Sequence, residues 1–510
     1  MIDSMPTKQE KCQGAMIATA IGDALGWPNE TRSKNVQKNS TVNDMFVSWI
    51  RNNRYPCWHQ EQILPGEYSD DTQMLLAVAR SILTENWENS LVRYELPYWL
   101  SYQRGGGTSL LKAATACKEK TVLWKKNNLH DYFAAGGNGV AMRILPHVIG
   151  RIHSESITEL MAEVLRDGII THGHPRALLG ATCYAYTLNY LLKKNEVLKY
   201  GEIVSAVLDG QKTWGHIPDF DVLNEWKSVA VKKSGYDYTA VWNETVSYMV
   251  KQLIYIQDAL NKGLMEDDRK VFSNLECYSK INGAGDVAVL TAIYLTSKYA
   301  NNPALGIKVP AFAVGMDTDT IASMTGAMLG MICGTSWIPN EWRLVQDYNC
   351  FLQMTELLMS DKKLENSKTY ISQVTKEKDG WNKTPMGMLR QIDSYNISAT
   401  KMLITVKKLQ TAFGQTIYVK DYQMKEKGST QLPSGNQPTP ESMQQRQMFC
   451  LDLEAVNNLI NDPKISKKTC KKLFQIIKEL LINQNSLEEI ARKFQVDLQL
   501  VNIIGRYIYR

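Results

Sequence analysis

The pattern of apolar and polar positions indicates helices along most of the first 360 residues. Apolar side chains recur there at the three- and four-residue spacing of a helix face, and regular strand alternation is nearly absent. The pattern predicts helices at about 11–25, 87–103, 108–118 and 155–168. Residues 31–66 are mainly polar with scattered aromatic side chains, and we interpret them as a loop. These features predict an all-α domain over residues 1–360.

The pattern changes after about residue 360. Residues 361–423 form a predicted extension, in which 401–423 has strand character and predicts a β-hairpin around Gly414. Residues 424–447 are polar and rich in Pro, Ser, Gly and Gln, which is typical of a flexible linker. Residues 448–510 predict a small, mostly helical module. Its last two helices have helix-turn-helix spacing, which would make nucleic acid a partner, and a docking or dimerisation module is the equal alternative.

Composition narrows the class of protein without naming a function. The 510 residues are 44% hydrophobic and 22% charged, as in an ordinary soluble globular protein. The net charge of +6 arises from 58 basic and 52 acidic residues, which is too mild to imply nucleic acid or membrane by itself. Nine cysteines are scattered without a CxxC pair, which favours reduced thiols. We therefore expect a soluble cytoplasmic protein that is not inserted in a membrane.

The densest group of candidate ligands lies at the start of an apolar helix, in GMDTDTIASMTGAMLGMICG, residues 315–334. Asp317 and Asp319 alternate there with Thr318 and Thr320. Carboxylate and hydroxyl oxygens suit Mg²⁺, Mn²⁺ or Ca²⁺ better than zinc. The small residues that follow would let another backbone come close. A single aspartate here could simply cap the helix, but two of them entering so apolar a run need a cation or a proton.

A second stretch repeats the arrangement. Ser69, Asp70 and Asp71 precede the apolar helix in EYSDDTQMLLAVARSIL, residues 67–83. Both aspartates can reach a centre beyond the first turn of that helix. Two helix starts that each offer oxygen ligands predict a two-metal site between them.

Two further segments carry candidate binding residues. Residues 134–146, AAGGNGVAMRILP, form a glycine-rich turn whose backbone N–H groups could meet a phosphate or ligand oxygen. His172 and His174 precede a helix, and a zinc site there would need further ligands that are not evident. A glycine turn or a histidine alone is more often structural.

Five stretches together resemble the ADP-ribosylglycohydrolase family, which includes the dinitrogenase reductase-activating glycohydrolase. They are, in order, GDALG with Glu30, SDDTQ at 69–73, GGNGVAMR at 136–143, TH at 171–172 and GMDTDTIASMTGAMLG at 315–330. The resemblance covers roughly residues 11–345. It implies a compact all-α bundle with a dinuclear metal centre of two Mg²⁺ ions, for which Mn²⁺ could substitute, followed by a small mostly helical C-terminal region.

The resemblance also implies roles for individual residues. The implied metal ligands are Ser69, Asp70 and Asp71 from one side and Asp317, Asp319 and Thr320 from the other. The implied catalytic base is Asp71 or Glu30, and the sequence does not decide between them. The implied contacts to ADP-ribose are Gly137, Asn138, Gly139 and His172.

This chain departs from the family pattern at two positions. Ser69 stands where threonine is usual and keeps the hydroxyl. Met316 replaces the second glycine of the usual GGDTDT, so the backbone beside Asp317 is less free and a narrower pocket is expected. Neither change removes a metal ligand.

The resemblance implies a Mg²⁺-dependent hydrolase that removes ADP-ribose from a protein or another conjugate. The alternative is a non-catalytic ADP-ribose or nucleotide sensor that signals through the C-terminal module. A metal phosphatase is a weaker third reading, because the order of the five motifs points elsewhere. The acceptor stays open among arginine, serine, a nucleobase and small conjugates.

Overall fold

A computed structural model of the chain describes residues 5–30, 45–53, 57–126, 129–263, 266–360, 380–384, 386–399, 402–424 and 492. The chain divides into two units, Met1–Thr430 and Gln431–Arg510, and the elements below all belong to the first. The predicted linker at 424–447 lies outside the described residues except for Met424. The predicted helical module at 448–510 lies outside them except for Arg492.

Helices make up most of the described chain, as the sequence pattern predicts. The α-helices are, in chain order, α1 (Lys8–Glu30), α2 (Asp70–Ile82), α3 (Trp87–Ser90), α4 (Leu96–Trp99), α5 (Thr108–Lys118), α6 (His130–Phe133), α7 (Leu145–Gly150), α8 (Ile157–Thr171), α9 (Pro175–Lys193), α10 (Glu202–Asp209), α11 (Gln211–Trp214), α12 (Asp221–Lys233), α13 (Tyr238–Asn261), α14 (Asp268–Asn274), α15 (Gly285–Tyr299), α16 (Pro303–Ala311), α17 (Thr318–Cys333) and α18 (Tyr348–Met359). No described helix is long and apolar enough to cross a membrane.

Two predicted helices differ from the observed helices: one extends further than predicted, and the other is interrupted. Helix α1 does not stop at Leu25 but continues through Pro28 to Glu30. The helix predicted at 87–103 is interrupted by a π-helical turn, Leu91–Glu95, ahead of α4. Pro97 accounts for this interruption, because its ring has no N–H and crowds the carbonyl of the preceding turn.

Helices α1 and α17 cross in close contact because glycine residues stand where their backbones meet. A Cβ atom placed on Gly22 would lie 2.2 Å from the Ala322 carbonyl oxygen, and one on Gly330 would lie 2.2 Å from the Gly14 carbonyl oxygen. Both helices are buried along most of their length. The prediction that small residues in α17 admit another backbone is confirmed, and this contact brings the acidic residues of both helices together.

The prediction of an all-α fold is wrong in two places. Residues 31–66 are not simply a loop, because β1 (Trp49–Asn53) and β2 (His59–Ile63) form an antiparallel hairpin in which Trp49 pairs with Ile63. The second place is an antiparallel sheet in the order β3-β4-β5-β6, with strands β3 (Trp381–Thr384), β4 (Gly387–Ser398), β5 (Met402–Thr411) and β6 (Thr416–Met424). The predicted hairpin around Gly414 is confirmed as β5 and β6, in which Met402 pairs with Met424.

The sheet packs on the helical body through polar contacts that are buried or partly buried. The Arg80 guanidinium of α2 donates to the Gln415 side-chain oxygen. The backbone N–H of Thr416 donates to Asp347 at 2.7 Å, and the Lys420 ammonium reaches Glu61 of β2 at 2.6 Å. The sheet is therefore fixed to the helices and to the β1–β2 hairpin alike. Among the described residues every cysteine is a free thiol.

Candidate functional site

Asp23 of α1 holds the first turn of α2 in place. One of its carboxylate oxygens accepts a hydrogen bond from the Ser69 backbone N–H at 2.9 Å. The other accepts from the backbone N–H of Thr72 at 3.0 Å and from its hydroxyl at 2.6 Å. The side chain is fully buried, and this burial raises the pKa of Asp23 although the hydrogen bonds oppose it. A buried carboxylate thus satisfies donors at the start of the helix that carries Asp70 and Asp71.

The start of α2 also orients its own acidic residues. The Ser69 hydroxyl caps the helix by accepting from the Asp71 N–H at 3.2 Å. Asp70 lies against Gly105, where an added Cβ atom would come within 2.6 Å of its Oδ1 atom. Gly105 also has a φ of +109°, a conformation that L side chains rarely adopt. The loop before α5 therefore needs glycine at this position to leave room for Asp70.

Helix α17 supplies its carboxylates in a different way. Asp317 precedes the helix but makes no capping hydrogen bond, so capping does not explain it. Its Oδ2 atom instead accepts from the Asn138 side chain at 2.8 Å. The Thr320 hydroxyl lies 2.9 Å from the Asp71 carboxylate, which links α17 directly to α2. The structure thus brings Asp71, Asp317 and Thr320 together, as the sequence predicts.

Three buried carboxylates form the centre of the site. One oxygen from each of Asp23, Asp71 and Asp319 lies within 4.8 Å of the others. Burial is the largest effect that raises the pKa of Asp71 and Asp319, and the charges of neighbouring carboxylates raise it further. No lysine, arginine or histidine of the described residues forms an ion pair with any of the three. A cluster of oxygen donors so deficient in positive charge could hold a divalent cation.

Asp23 is a site residue that the sequence pattern does not predict. The residue was recognised only as part of the GDALG motif, and no role was given to its carboxylate. A signal was present in the sequence, because Asp23 is a lone carboxylate on the apolar, glycine-rich face of a buried helix. An acidic residue in that position needs partners of its own.

Glu30 ends α1 at the edge of the cluster and keeps a solvent-exposed side. Protein atoms around its carboxyl raise the pKa of Glu30 to about 7, and the negative charge of Asp317 adds to the effect. A carboxyl with this pKa can take up or release a proton near neutral pH.

The glycine-rich segment runs beside the cluster and is held by a second loop. The Asn138 N–H donates to the Gly283 carbonyl oxygen at 3.0 Å, and the Gly285 N–H donates to the Gly136 carbonyl oxygen at 3.0 Å. A Cβ atom on Gly139 would lie 3.0 Å from the His172 ring. The backbone at Gly139 therefore lies directly on the imidazole, and Gly137 is close to the same ring.

His172 is buried at the end of α8, where Arg143 and Thr171 fix its protonation. The Thr171 hydroxyl accepts from the Arg143 guanidinium at 3.0 Å and lies 2.8 Å from His172 Nδ1. We assign the hydroxyl proton to this shorter contact and not to the Gly168 carbonyl oxygen at 3.4 Å, which makes Nδ1 an acceptor and places the imidazole proton on Nε2. Burial lowers the pKa of His172 to about 3, and the positive charge of Arg143 lowers it further. The ring is thus a neutral donor through Nε2 beside the glycine-rich segment.

Two other residues noted in the sequence, His174 and Met316, stabilise the starts of helices. His174 caps α9, where its Nδ1 atom accepts from the Arg176 N–H at 3.2 Å. Met316 is buried in the main hydrophobic core just before α17. Its side chain therefore adds to the packing that supports the start of that helix.

Comparison with known proteins gives consistent matches. A family model described as ADP-ribosylglycohydrolase matches residues 4–367. The ADP-ribosylhydrolase ARH3 of Xenopus tropicalis is 23% identical over 347 residues, which cover 65% of this chain and 89% of that protein. The ADP-ribosyl-dinitrogen reductase glycohydrolase of Rhodospirillum rubrum is 26% identical over 185 residues, 35% of this chain and 56% of that protein. The ADP-ribosylarginine hydrolase Tri1 of Serratia proteamaculans is 26% identical over 196 residues, 36% of this chain and 48% of that protein.

The family match covers the elements that build the site and ends before the C-terminal sheet. It includes α1, α2 and α17, which carry the three clustered carboxylates, and also the glycine-rich segment and His172. Strand β3 begins at Trp381, beyond the matched residues. Because the match extends over more than half of the sequence, the chain belongs to the ADP-ribosylglycohydrolase family.

Proposed function

We propose that this protein is a Mg²⁺-dependent hydrolase that cleaves the glycosidic bond between ADP-ribose and an acceptor. The observation that carries the proposal is the cluster of Asp23, Asp71 and Asp319, which lies beside the glycine-rich segment and His172. The relatives named as ADP-ribosyl hydrolases or glycohydrolases support the reaction class. The C-terminal sheet lies outside the family match, so the proposal does not depend on it.

The donor set fits magnesium. All of its candidate ligands offer oxygen, and they come from the starts of α2 and α17 and from Asp23 within α1. The residues that would hold two ions are Ser69, Asp70 and Asp71 on α2 and Asp317, Asp319 and Thr320 on α17. Bound divalent ions would supply Lewis acidity that positions the ribose hydroxyls and a water molecule.

The chain's own residues would bind and orient ADP-ribose. The neutral His172 ring can donate from Nε2 to an oxygen of the ligand without adding a positive charge to the site. Asn138 is held by its backbone and by Asp317, so its position is fixed before the ligand arrives. The backbone of Gly139 lies against the His172 ring, so a side chain at this position would press on the imidazole.

Glu30 is the better candidate for the base. Asp71 is fully engaged, since Thr320 binds its carboxylate and it belongs to the central cluster. Glu30 lies at the exposed edge of the cluster, where solvent reaches its carboxyl group. In the proposed step a water oxygen attacks the anomeric carbon and Glu30 accepts the water proton. The bond to the acceptor breaks, its electron pair stays with the acceptor, and the acceptor takes up the proton that Glu30 received, which restores the carboxylate.

Release of free ADP-ribose tests the proposal. We would measure it from a panel of ADP-ribosylated peptides and small conjugates with Mg²⁺ and with EDTA. The variants are Asp317→Ala and Glu30→Gln, and the control is Glu155→Gln on the exposed surface. We expect release that needs Mg²⁺, is lost in both site variants and is kept in the control.

Two results would count against the hydrolase. Release that is unaffected by EDTA and by Asp317→Ala would contradict the proposed metal centre. Binding of ADP-ribose without release from any conjugate would favour the alternative of a non-catalytic sensor.

A further inference from the structure

Strand β6 holds the two residues that precede the capping residue of α2. The Tyr418 hydroxyl donates to the Glu67 carboxylate, and both side chains are buried. The Tyr68 hydroxyl donates to an Asp347 oxygen at 2.7 Å, and the same oxygen accepts from the backbone N–H of Thr416 at 2.7 Å. The segment that leads into the proposed metal ligands of α2 is therefore tied to β6 at two consecutive positions.

Tyr418 also contacts the loop on the other side of Asp70. The Arg104 guanidinium lies over the Tyr418 ring, 3.8 Å from its centroid, and donates to Glu67 at 2.9 Å. The next residue, Gly105, faces Asp70, because a Cβ atom on it would lie 2.6 Å from the Asp70 Oδ1 atom. One side chain of β6 thus contacts both of the segments that flank Asp70.

The loop that carries Arg104 is joined to α2 as well. The Gln73 side-chain oxygen accepts from the Arg104 backbone N–H at 3.1 Å and from the Trp99 indole at 3.1 Å. Its amide nitrogen donates to the Tyr102 carbonyl oxygen at 3.2 Å. Gln73 lies three residues after Asp70, on the same side of the helix. Because packed interiors transmit strain, a shift of β6 would reach Asp70 from the loop as well as from the chain before it.

The contribution of the Tyr418 hydroxyl is geometric. Arg104 binds one oxygen of Glu67, the Oε2 atom, and also donates to Glu61 at 2.9 Å. The Tyr418 hydroxyl binds the other oxygen, Oε1, and brings no charge. Glu67 is thus fixed at both oxygens, and removal of the hydroxyl would release one of them without changing the number of charges.

We propose that β6 is a positioning element of the metal site, in which Tyr418 is the positioning residue that sets where Asp70 stands. This inference rests on the proposed function and adds a residue beyond the family match, which ends at residue 367. Mg²⁺ demands near-ideal octahedral geometry, so a displaced ligand weakens its binding. Replacement of residues that orient metal ligands typically lowers metal affinity by about tenfold or more.

The test compares Tyr418→Phe with the unchanged full-length protein, because phenylalanine keeps the ring beneath Arg104 and removes only the hydroxyl. Calorimetric titration should show Mg²⁺ binding weakened about tenfold. Release of ADP-ribose should then need about tenfold more Mg²⁺ for its half-maximal rate and reach nearly the same maximum. The matched control is Tyr294→Phe on α15, which also removes a tyrosine hydroxyl bonded to a carboxylate, here Asp268 at 2.7 Å. We expect Mg²⁺ affinity to be unchanged in this control.

Several outcomes would overturn the inference. Normal Mg²⁺ affinity in Tyr418→Phe would show that the hydroxyl only stabilises the sheet, and an equal loss in Tyr294→Phe would show a general loosening of the fold. A lower maximal rate at an unchanged Mg²⁺ midpoint would contradict an effect on a metal ligand. Thermal unfolding in EDTA identifies a misfolded Tyr418→Phe variant. Tyr68→Phe, which removes the second link to β6, then carries the test, because normal Mg²⁺ affinity in it would contradict the role of the strand.

The same measurements separate this inference from the proposed function. Absence of Mg²⁺ binding in the unchanged protein would overturn the proposed metal centre, and this inference with it. Mg²⁺ binding without release of ADP-ribose from any conjugate would refute the hydrolase alone, and the comparison of Mg²⁺ affinities would still decide the role of Tyr418.

Discussion

Replacing Gly26 by alanine should damage the metal centre through the contact between α1 and α17. The new Cβ atom would lie 2.3 Å from the Thr318 carbonyl oxygen and 2.6 Å from the Asp319 Cα atom. Ordinary van der Waals contact needs about 3.4 Å or more, so the two backbones must separate by roughly 1 Å. Overpacking of this kind costs about 1–3 kcal/mol in a well-packed core. The two backbones would separate at the turn of α17 that carries Asp319.

A matched variant isolates the effect on the site from the effect on stability. In Gly330→Ala the new Cβ atom meets the Gly14 carbonyl oxygen at 2.2 Å, which is the same kind of clash in the same helix pair. Gly330 lies eleven residues after Asp319, so the clash is about 17 Å away along α17. We expect both variants to lose a similar amount of stability. Only Gly26→Ala should also displace a ligand of the metal.

Two measurements separate these effects. Thermal unfolding in EDTA gives the loss of stability, which we expect to be a drop of a few degrees in Tm for each variant. Calorimetric titration with Mg²⁺ gives the affinity. Mg²⁺ tolerates displacements of only about 0.2 Å in its ligands, so Gly26→Ala should weaken binding by tenfold or more. A Gly26→Ala variant that is destabilised like Gly330→Ala but binds Mg²⁺ normally would refute the reasoning.

Three further variants test other parts of the structure. Gly139→Ala should press on the His172 ring at 3.0 Å and weaken ADP-ribose binding about tenfold in a binding titration, with Tm almost unchanged. Lys420→Met removes one of three cations from a buried carboxylate and should lower the free energy of unfolding by about 1–3 kcal/mol in a denaturant titration. Lys407→Met, in an exposed pair, should change it by less than about 0.5 kcal/mol. Burial alone would lower the pKa of His147, but its hydrogen bond to Asp167 at 3.0 Å and the nearby charge of Glu163 at 3.7 Å raise it above the unfolded value. His147→Gln should therefore cost stability below the unfolded pKa and progressively less as the pH rises through the folded pKa, which Tm measured against pH would show.

The parts of the site that follow a helical pattern were predictable from the sequence. Asp71, Asp317 and Thr320 stand at helix starts next to apolar runs, and the structure brings all three together. The small residues of α17 predicted a close partner helix, although they did not say which helix it would be. The partner is α1, whose glycine residues are also spaced to lie on one face of the helix but occur some 300 positions earlier in the chain.

The β elements were harder to predict because their stabilisation is not local. The β1–β2 hairpin looks polar in sequence, since its partners are buried ion pairs and not an alternating apolar face. Glu61 would be expected at the surface, yet it is fully buried because Arg104 and Lys420 neutralise it. Lys420 lies 359 residues away, so no pattern near Glu61 could reveal the pairing.

The wide separation of the three carboxylates along the chain explains why the site lies where helices cross. Asp23, Asp71 and Asp319 come from segments separated by tens to hundreds of residues, and each of them is expensive to bury alone. The glycine contacts of α1 and α17 force two of them together, and the hydrogen bonds from α2 to Asp23 bring the third. The favourable packing of the helices therefore offsets the repulsion between the like charges that it brings together. A cation that binds this cluster removes the repulsion and stabilises the folded chain, so saturating Mg²⁺ should raise Tm less in Gly26→Ala, where a ligand is displaced, than in Gly330→Ala, where none is.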